Sequence, residues 1–204
     1  MIKKIIIQIF IIFYLAIVAL VMLHAEEGNF KIVKLVNEKI ITNYDLQQRL
    51  KLYSILNNIS INNDNIEEIA SKKLSEMIDE ILQLEQIEKY NIAINTIDVD
   101  EYIKRKYLRD QINLEEFKLI FKENNLDFDI FIKFIEIKLG WNDLTGRLYY
   151  RTSEINPIDL ENLLNKDISL SKEEVENLLL QKQISLRAEK LLRDIRIEAT
   201  IENR

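Results

Sequence analysis

The sequence predicts a mainly α-helical fold with a small N-terminal β-hairpin that is joined by a C-terminal strand. Three observations predict it. Glycine occurs 3 times and proline once in 204 residues, too few for the turns of a sheet-rich protein. Apolar residues make up 48% of the chain and charged residues 30%, the balance that lets helices bury one face and solvate the other. From Leu46 to Ile195 the apolar positions recur three and four residues apart, the helical period, while alternation is confined to the stretches on either side.

Residues 1–25 stand apart. Met1 to Lys4 is a short cationic start, followed by an apolar run from Ile5 to Leu23 that only Gln8 interrupts. This is the pattern of an export signal peptide. Ala25 offers a small residue before a cleavage point, but Leu23 fits the small-x-small rule badly, and the run approaches the roughly 20 apolar residues of a membrane span. Two outcomes stand: a cleaved signal peptide, or an inner-membrane anchor through residues 5–23. Because the lysines precede the run, both place the remainder outside the cytoplasm.

The exported part opens with Lys31–Val36 and Ile40–Thr42, two short alternating runs about Asn37, Glu38 and Lys39, which read as a hairpin. Thr42 and Asp45 have the spacing of a capping box, in which each end of the pair closes a free amide of the other. The helix they start carries Leu46, Leu50, Tyr53 and Leu56 on one stripe, and the Asn-rich stretch Asn57–Asn65 is a loop. From Ile66 to Tyr90 the apolar positions 66, 70, 74, 77, 81 and 84 define a second helix with one buried face. Thr96 begins a third, with Asp98, Asp100 and Glu101 in its first turn, where the helix dipole favours negative charge. Without a glycine-bearing loop these carboxylates are helix-end charges and not a Ca²⁺ site.

Leu114–Asn124 reads as a short helix carrying Phe117, Ile120 and Phe121. Asp127 or Asp129 starts the next, which bears Phe131, Phe134, Ile137, Trp141, Leu144 and Leu148. Asn156 and Pro157 supply a cap and a first-turn proline for a helix over Ile158–Leu164. After a linker at residues 166–170, Ser171 and Glu174 form a second capping box, and a long final helix shows Ile184, Ala188, Leu191 and Ile195 on one face. The tail Glu198–Glu202 alternates like a strand. A lone strand needs a partner, and the only other strands in this reading lie at residues 31–42, so the C-terminus returns to the hairpin.

Composition also narrows the chemistry. A net charge of -6 without a dense basic stripe argues against nucleic acid as a partner. There is no cysteine, and the single histidine, His24, belongs to the N-terminal segment. The exported part therefore lacks the residues for Ser-His or Cys-His catalysis and for the usual zinc sites, and no phosphate loop is present; no cofactor is expected. Tyr107, Phe121 and Phe128, large and apolar or amphipathic, are the candidates for lining a peptide-binding groove.

Val36–Leu46, the hairpin running into the first helix, resembles the opening of the N-terminal domain of SurA-like periplasmic chaperones. Leu74–Glu85 resembles that family's second helix, and Ile97–Glu101, Leu114–Lys118 and Phe131–Trp141 follow in the family's order. Arg187–Ile201 resembles the helix and strand that complete the family's core. The resemblance implies a SurA-type helical chaperone core: residues 26–165 as the N-terminal domain, and residues 171–204 as its completing helix and strand. Residues 166–170 stand where the family inserts parvulin domains, and five residues cannot hold one. The implied activity is ATP-independent holding of unfolded or nascent outer-membrane proteins in the periplasm through an apolar groove, without prolyl isomerase activity. Two rival readings remain open. One is a membrane-anchored relative resembling PpiD, and the other is an exported helical scaffold for one dedicated partner.

Overall fold

The computed structural model describes residues 30–108, 113–166 and 170–204. The segment 1–25, with His24 and the Ile5–Leu23 run, lies outside them, as does the middle of the expected linker, 167–169. The chain divides into two compact units, Met1–Lys31 and Ile32–Arg204, and the architecture that follows is that of the second. Its elements in order are β1 (Ile32–Val36), β2 (Lys39–Thr42), α1 (Asn43–Asn57), α2 (Ile66–Lys89), α3 (Thr96–Lys106), α4 (Leu114–Glu123), α5 (Phe128–Tyr149), α6 (Pro157–Lys166), α7 (Lys172–Glu198) and β3 (Ile201–Asn203). Among the described residues no helix is long and apolar enough to cross a membrane.

The three strands form one antiparallel sheet in the order β2-β1-β3. The C-terminus thus returns to the hairpin, as its alternation predicts. The strand starts at Ile201 and not at Glu198, because α7 continues to Glu198. Asn37 fastens this corner. Its φ of 51° is the left-handed conformation that asparagine tolerates, which lets the hairpin turn. Its N–H donates to Thr200 O at 2.8 Å, its Oδ1 accepts from Thr200 N–H at 3.0 Å, and its Nδ2 donates to Glu85 Oε2 of α2 at 2.8 Å.

Helix starts follow local chemistry. Complete capping boxes stand at Thr42/Asp45 and Ser171/Glu174, where expected, and also at Asn113/Glu116. The Ser171 N–H and hydroxyl, both donating to Glu174, hold its carboxyl below the usual range. Asp127, not Asp129, caps α5. α3 starts at Thr96, as expected, with Asn95 capping it by accepting from Ile97 N–H; of the three carboxylates expected in its first turn only Asp98 falls there, and Asp100 and Glu101 sit one turn later.

Three apolar clusters hold the unit together. The first gathers Leu52 of α1, Val99 and Ile103 of α3, Phe117 and Phe121 of α4, and Phe131 and Ile135 of α5. The second joins Ile87, Trp141, Leu144 and Ala188 from α2, α5 and α7. The third seats the sheet, through Val36 and Ile41, on Ile78 and Leu82 of α2. Arg196 of α7 ties the C-terminal end to α2 by pairing with Asp79 and donating to Ser75 O at 3.3 Å.

Two expected stripes are displaced. In α1 the buried positions are Gln48 and Leu52, not Leu46, Leu50, Tyr53 and Leu56, which are half-buried, because α1 has neighbours on more than one side. In α2 the buried apolar line is Ile78, Leu82 and Ile87, and the predicted stripe at 74, 77, 81 and 84 is only half-buried.

The two glycines of α5 should answer differently to alanine. At Gly140 a Cβ would stand 2.9 Å from Ile87 Cδ1 and 3.2 Å from its Cγ2, whereas at Gly146 it would meet nothing within 4 Å. Alanine favours a helix by about 1 kcal/mol over glycine. Gly146→Ala is therefore expected to raise stability by about that amount. In Gly140→Ala the stiff, branched Ile87 must yield, and overpacking of ~1–3 kcal/mol reverses the gain. Urea denaturation of the two variants side by side checks the difference in sign.

Candidate functional site

A largely apolar crevice of about 390 Å³ is bounded by β2, α1, α2 and α5. Ile40 and Ile41 form one wall. Met77, Ile81 and Leu84 of α2 and Ile130, Phe134 and Ile137 of α5 form the others. Leu84, Lys133 and Ile137 also line a second opening of about 580 Å³ around Ile87 and Ile92, so the two make one trough along α2 and α5.

A buried ion pair lies at the base of the first crevice. Arg49 Nη1 donates to Glu80 Oε1 at 3.0 Å and Nη2 to Oε2, a two-pronged contact in which the side chains are only 12% and 15% exposed. The Arg49 guanidinium also sits 5.0 Å from the centre of the Phe134 ring. Burial pushes the Glu80 carboxyl above its usual range, and Arg49, although it pulls the other way, does not cancel that rise. Beside them Gln48 is 3% exposed, and its Oε1 and the Nε of Arg49 have no hydrogen-bond partner among the described residues.

Tyr107, Phe121 and Phe128 come together, but elsewhere. With Phe117 and Phe131 they form a cluster whose ring centroids lie 5.1–6.2 Å apart, most of them edge to face. Phe121 is 0% exposed and lines no groove; it is core, because it shares one buried cluster with Leu52 of α1, Val99 and Ile103 of α3, and Phe131 and Ile135 of α5. Phe128 is half-buried against the same rings. Tyr107 alone of the three reaches an opening, a cleft of about 740 Å³ with Leu56, Phe117 and Ile120, and burial raises its hydroxyl above the usual value. The trough residues had a sequence signal of their own. Met77, Ile81, Leu84, Phe134 and Ile137 all stand on predicted apolar stripes, and what periodicity cannot register is that the first four stay half-buried at an opening while Ile137 is buried.

A fourth opening, about 860 Å³ between α5 and α7, has a polar lining that includes the Asp143–Arg147 pair. Among the described residues no group of three or more His, Cys, Asp or Glu is placed to hold a metal ion.

Neither a protein-family model nor a curated protein matches the chain. Among solved structures it matches one from work on two structurally related SurA-like chaperones of Campylobacter jejuni, the virulence factor PEB4 and the periplasmic protein Cj1289. Identity is 16% and the TM-score 0.39, over 85% of this chain and 98% of that one. Overlap of that degree carries no function across. The functional reading therefore rests on this chain's own residues.

Proposed function

We propose that this chain is an ATP-independent holding chaperone of the periplasm, which keeps unfolded outer-membrane proteins from aggregating by sheltering their apolar side chains in the α2–α5 trough. The observation that carries this reading is the trough itself: an open run of half-buried Met, Ile, Leu and Phe side chains on a helical scaffold. Exposed apolar surface of that kind costs solubility unless it serves binding. The flexible thioether of Met77 in its wall suits clients of varied shape. The net charge of -6 keeps a loaded complex in solution. Export is supported by the cationic start and the apolar run of residues 5–23, and the ordered family-like stretches from Val36 to Ile201 agree with the same role. The activity needs no isomerase chemistry, and none is proposed.

The direct test is whether the full chain suppresses aggregation of a urea-diluted outer-membrane β-barrel protein without ATP, with a folded soluble protein as the binding control. Suppression at near-stoichiometric ratio, and no retention of the control, is the expected result. A folded chain that leaves the light scattering unchanged would sink the proposal.

A further inference from the structure

We infer that the client is gripped by its backbone as well as its side chains: an extended client segment forms a β-bridge with the free edge of β2 at Ile40. The inference rests on the holding-chaperone reading and adds how the client is held.

The backbone directions follow from hydrogen bonds already described. Asn37 N–H donates to Thr200 O, on the β3 side of β1. In an antiparallel sheet successive residues turn their N–H and C=O to opposite edges. Leu35 therefore faces β3, and Lys34 and Val36 face β2. Their partners there are Ile41 and Lys39, which consequently face β1. That leaves the N–H and C=O of Ile40 pointing away from the sheet. Thr42 follows the same alternation, and its outward N–H is taken up by Asp45 Oδ2 at 2.8 Å. Ile40 is thus the one residue of this outer strand whose backbone pair stays open, and it is 52% exposed.

The crevice lies on that open side. Lys39, Ile40 and Ile41 all line it. Side chains of consecutive strand residues point to opposite faces, so a cavity that touches three in a row must run along the strand's edge. A donor and an acceptor side by side on one residue complement the backbone of an extended chain, and that match is independent of the client's sequence. The lining charge leaves the choice of occupant to the backbone and the apolar walls. Lys39, Arg49 and Lys133 balance Asp45, Glu80 and Glu85 in the lining, so the crevice carries no net formal charge and neither attracts nor repels a client by sign. The occupant that fits is therefore an extended segment of an unfolded chain that offers a backbone donor and acceptor to Ile40 and apolar side chains to the walls.

The test uses the full chain and a synthetic peptide of alternating apolar and polar residues, N-methylated at each amide in turn. A one-residue bridge makes two hydrogen bonds, each worth about 0.5–1.5 kcal/mol net, so losing one lowers affinity by up to about tenfold. Methylation at one central position should produce that loss, with little effect at its neighbours. Ile40→Pro, which removes the outward N–H and leaves the ladder to β1, should weaken the unmethylated peptide similarly, while Ile40→Ala keeps the backbone contact. A uniform response to methylation overturns the inference, even where Ile40→Pro fails to fold. So does failure of the peptide to bind a chain that still suppresses aggregation, and in both cases the holding function survives. Absence of both binding and suppression removes the two together. A dimer of the free chain that dissociates in Ile40→Pro assigns the edge to a second copy and also overturns the inference.

Discussion

Phe131→Ala is expected to destabilise the protein by about 3–5 kcal/mol, the range for emptying a fully buried aromatic site. Phe131 is 0% exposed, and its ring lies 5.1–5.5 Å from those of Tyr107, Phe117, Phe121 and Phe128. Truncation removes its buried area and leaves four rings facing a void, whose edge-to-face contacts add about 0.5–1.5 kcal/mol per pair. The site collapses poorly because these rings come from two helices, α4 and α5, and the turn after α3, and cannot close up together. Against a total stability of about 5–15 kcal/mol this is a large fraction. Phe128→Ala, at a half-buried site on the same cluster, should cost distinctly less. Urea unfolding followed by circular dichroism decides the matter, and losses below 1 kcal/mol in Phe131→Ala would mean that the cluster is not a core.

Arg49→Met should cost about 3–5 kcal/mol near neutral pH, because it leaves the buried Glu80 carboxylate without its counter-charge. The Arg49 stem and its contact with Phe134 make methionine, of similar length, the better probe than alanine. The pH dependence has a definite sign. Burial holds the folded-state pKa of Glu80 above its ordinary value despite Arg49. A group raised in this way contributes its stability in full below the unfolded pKa, roughly 4.3, and loses it as pH rises through the folded value. Removing Arg49 raises that value further. The deficit of Arg49→Met should therefore shrink as pH falls towards the unfolded pKa, where Glu80 is protonated in both states. Conversely, Glu80→Gln, which imitates the protonated acid, should gain on the parent as pH rises through the same window. Urea midpoints across a pH series test both signs, and a deficit that does not change with pH would contradict the buried-pair account.

What was legible in the sequence is what short-range physics decides. The capping boxes at Thr42 and Ser171 place helix starts because their partners lie three residues away. Alternation at the two ends of the chain, and the need of a strand for a partner, determine that the C-terminus closes onto the hairpin. At α3 the start at Thr96 was legible too, whereas its cap, Asn95, and the confinement of first-turn charge to Asp98 came from the structure.

The site was not legible in the same way, because accessibility is not a local property. On α2 the lines Ile78–Leu82 and Met77–Ile81–Leu84 are chemically alike, and both have helical spacing. Only the packing of the sheet over the first, and the gap between β2 and α5 over the second, makes one core and the other a wall of the trough. Phe121 and Phe134 are the same amino acid at comparable places in their stripes, yet residues of α1, α3 and α5 bury the first, and the second stays half-buried at an opening. The sequence by itself determined the element order, the helix caps and the return of the chain end. The tertiary structure alone decided which apolar surface stays uncovered, since that depends on where non-adjacent elements stop short of one another.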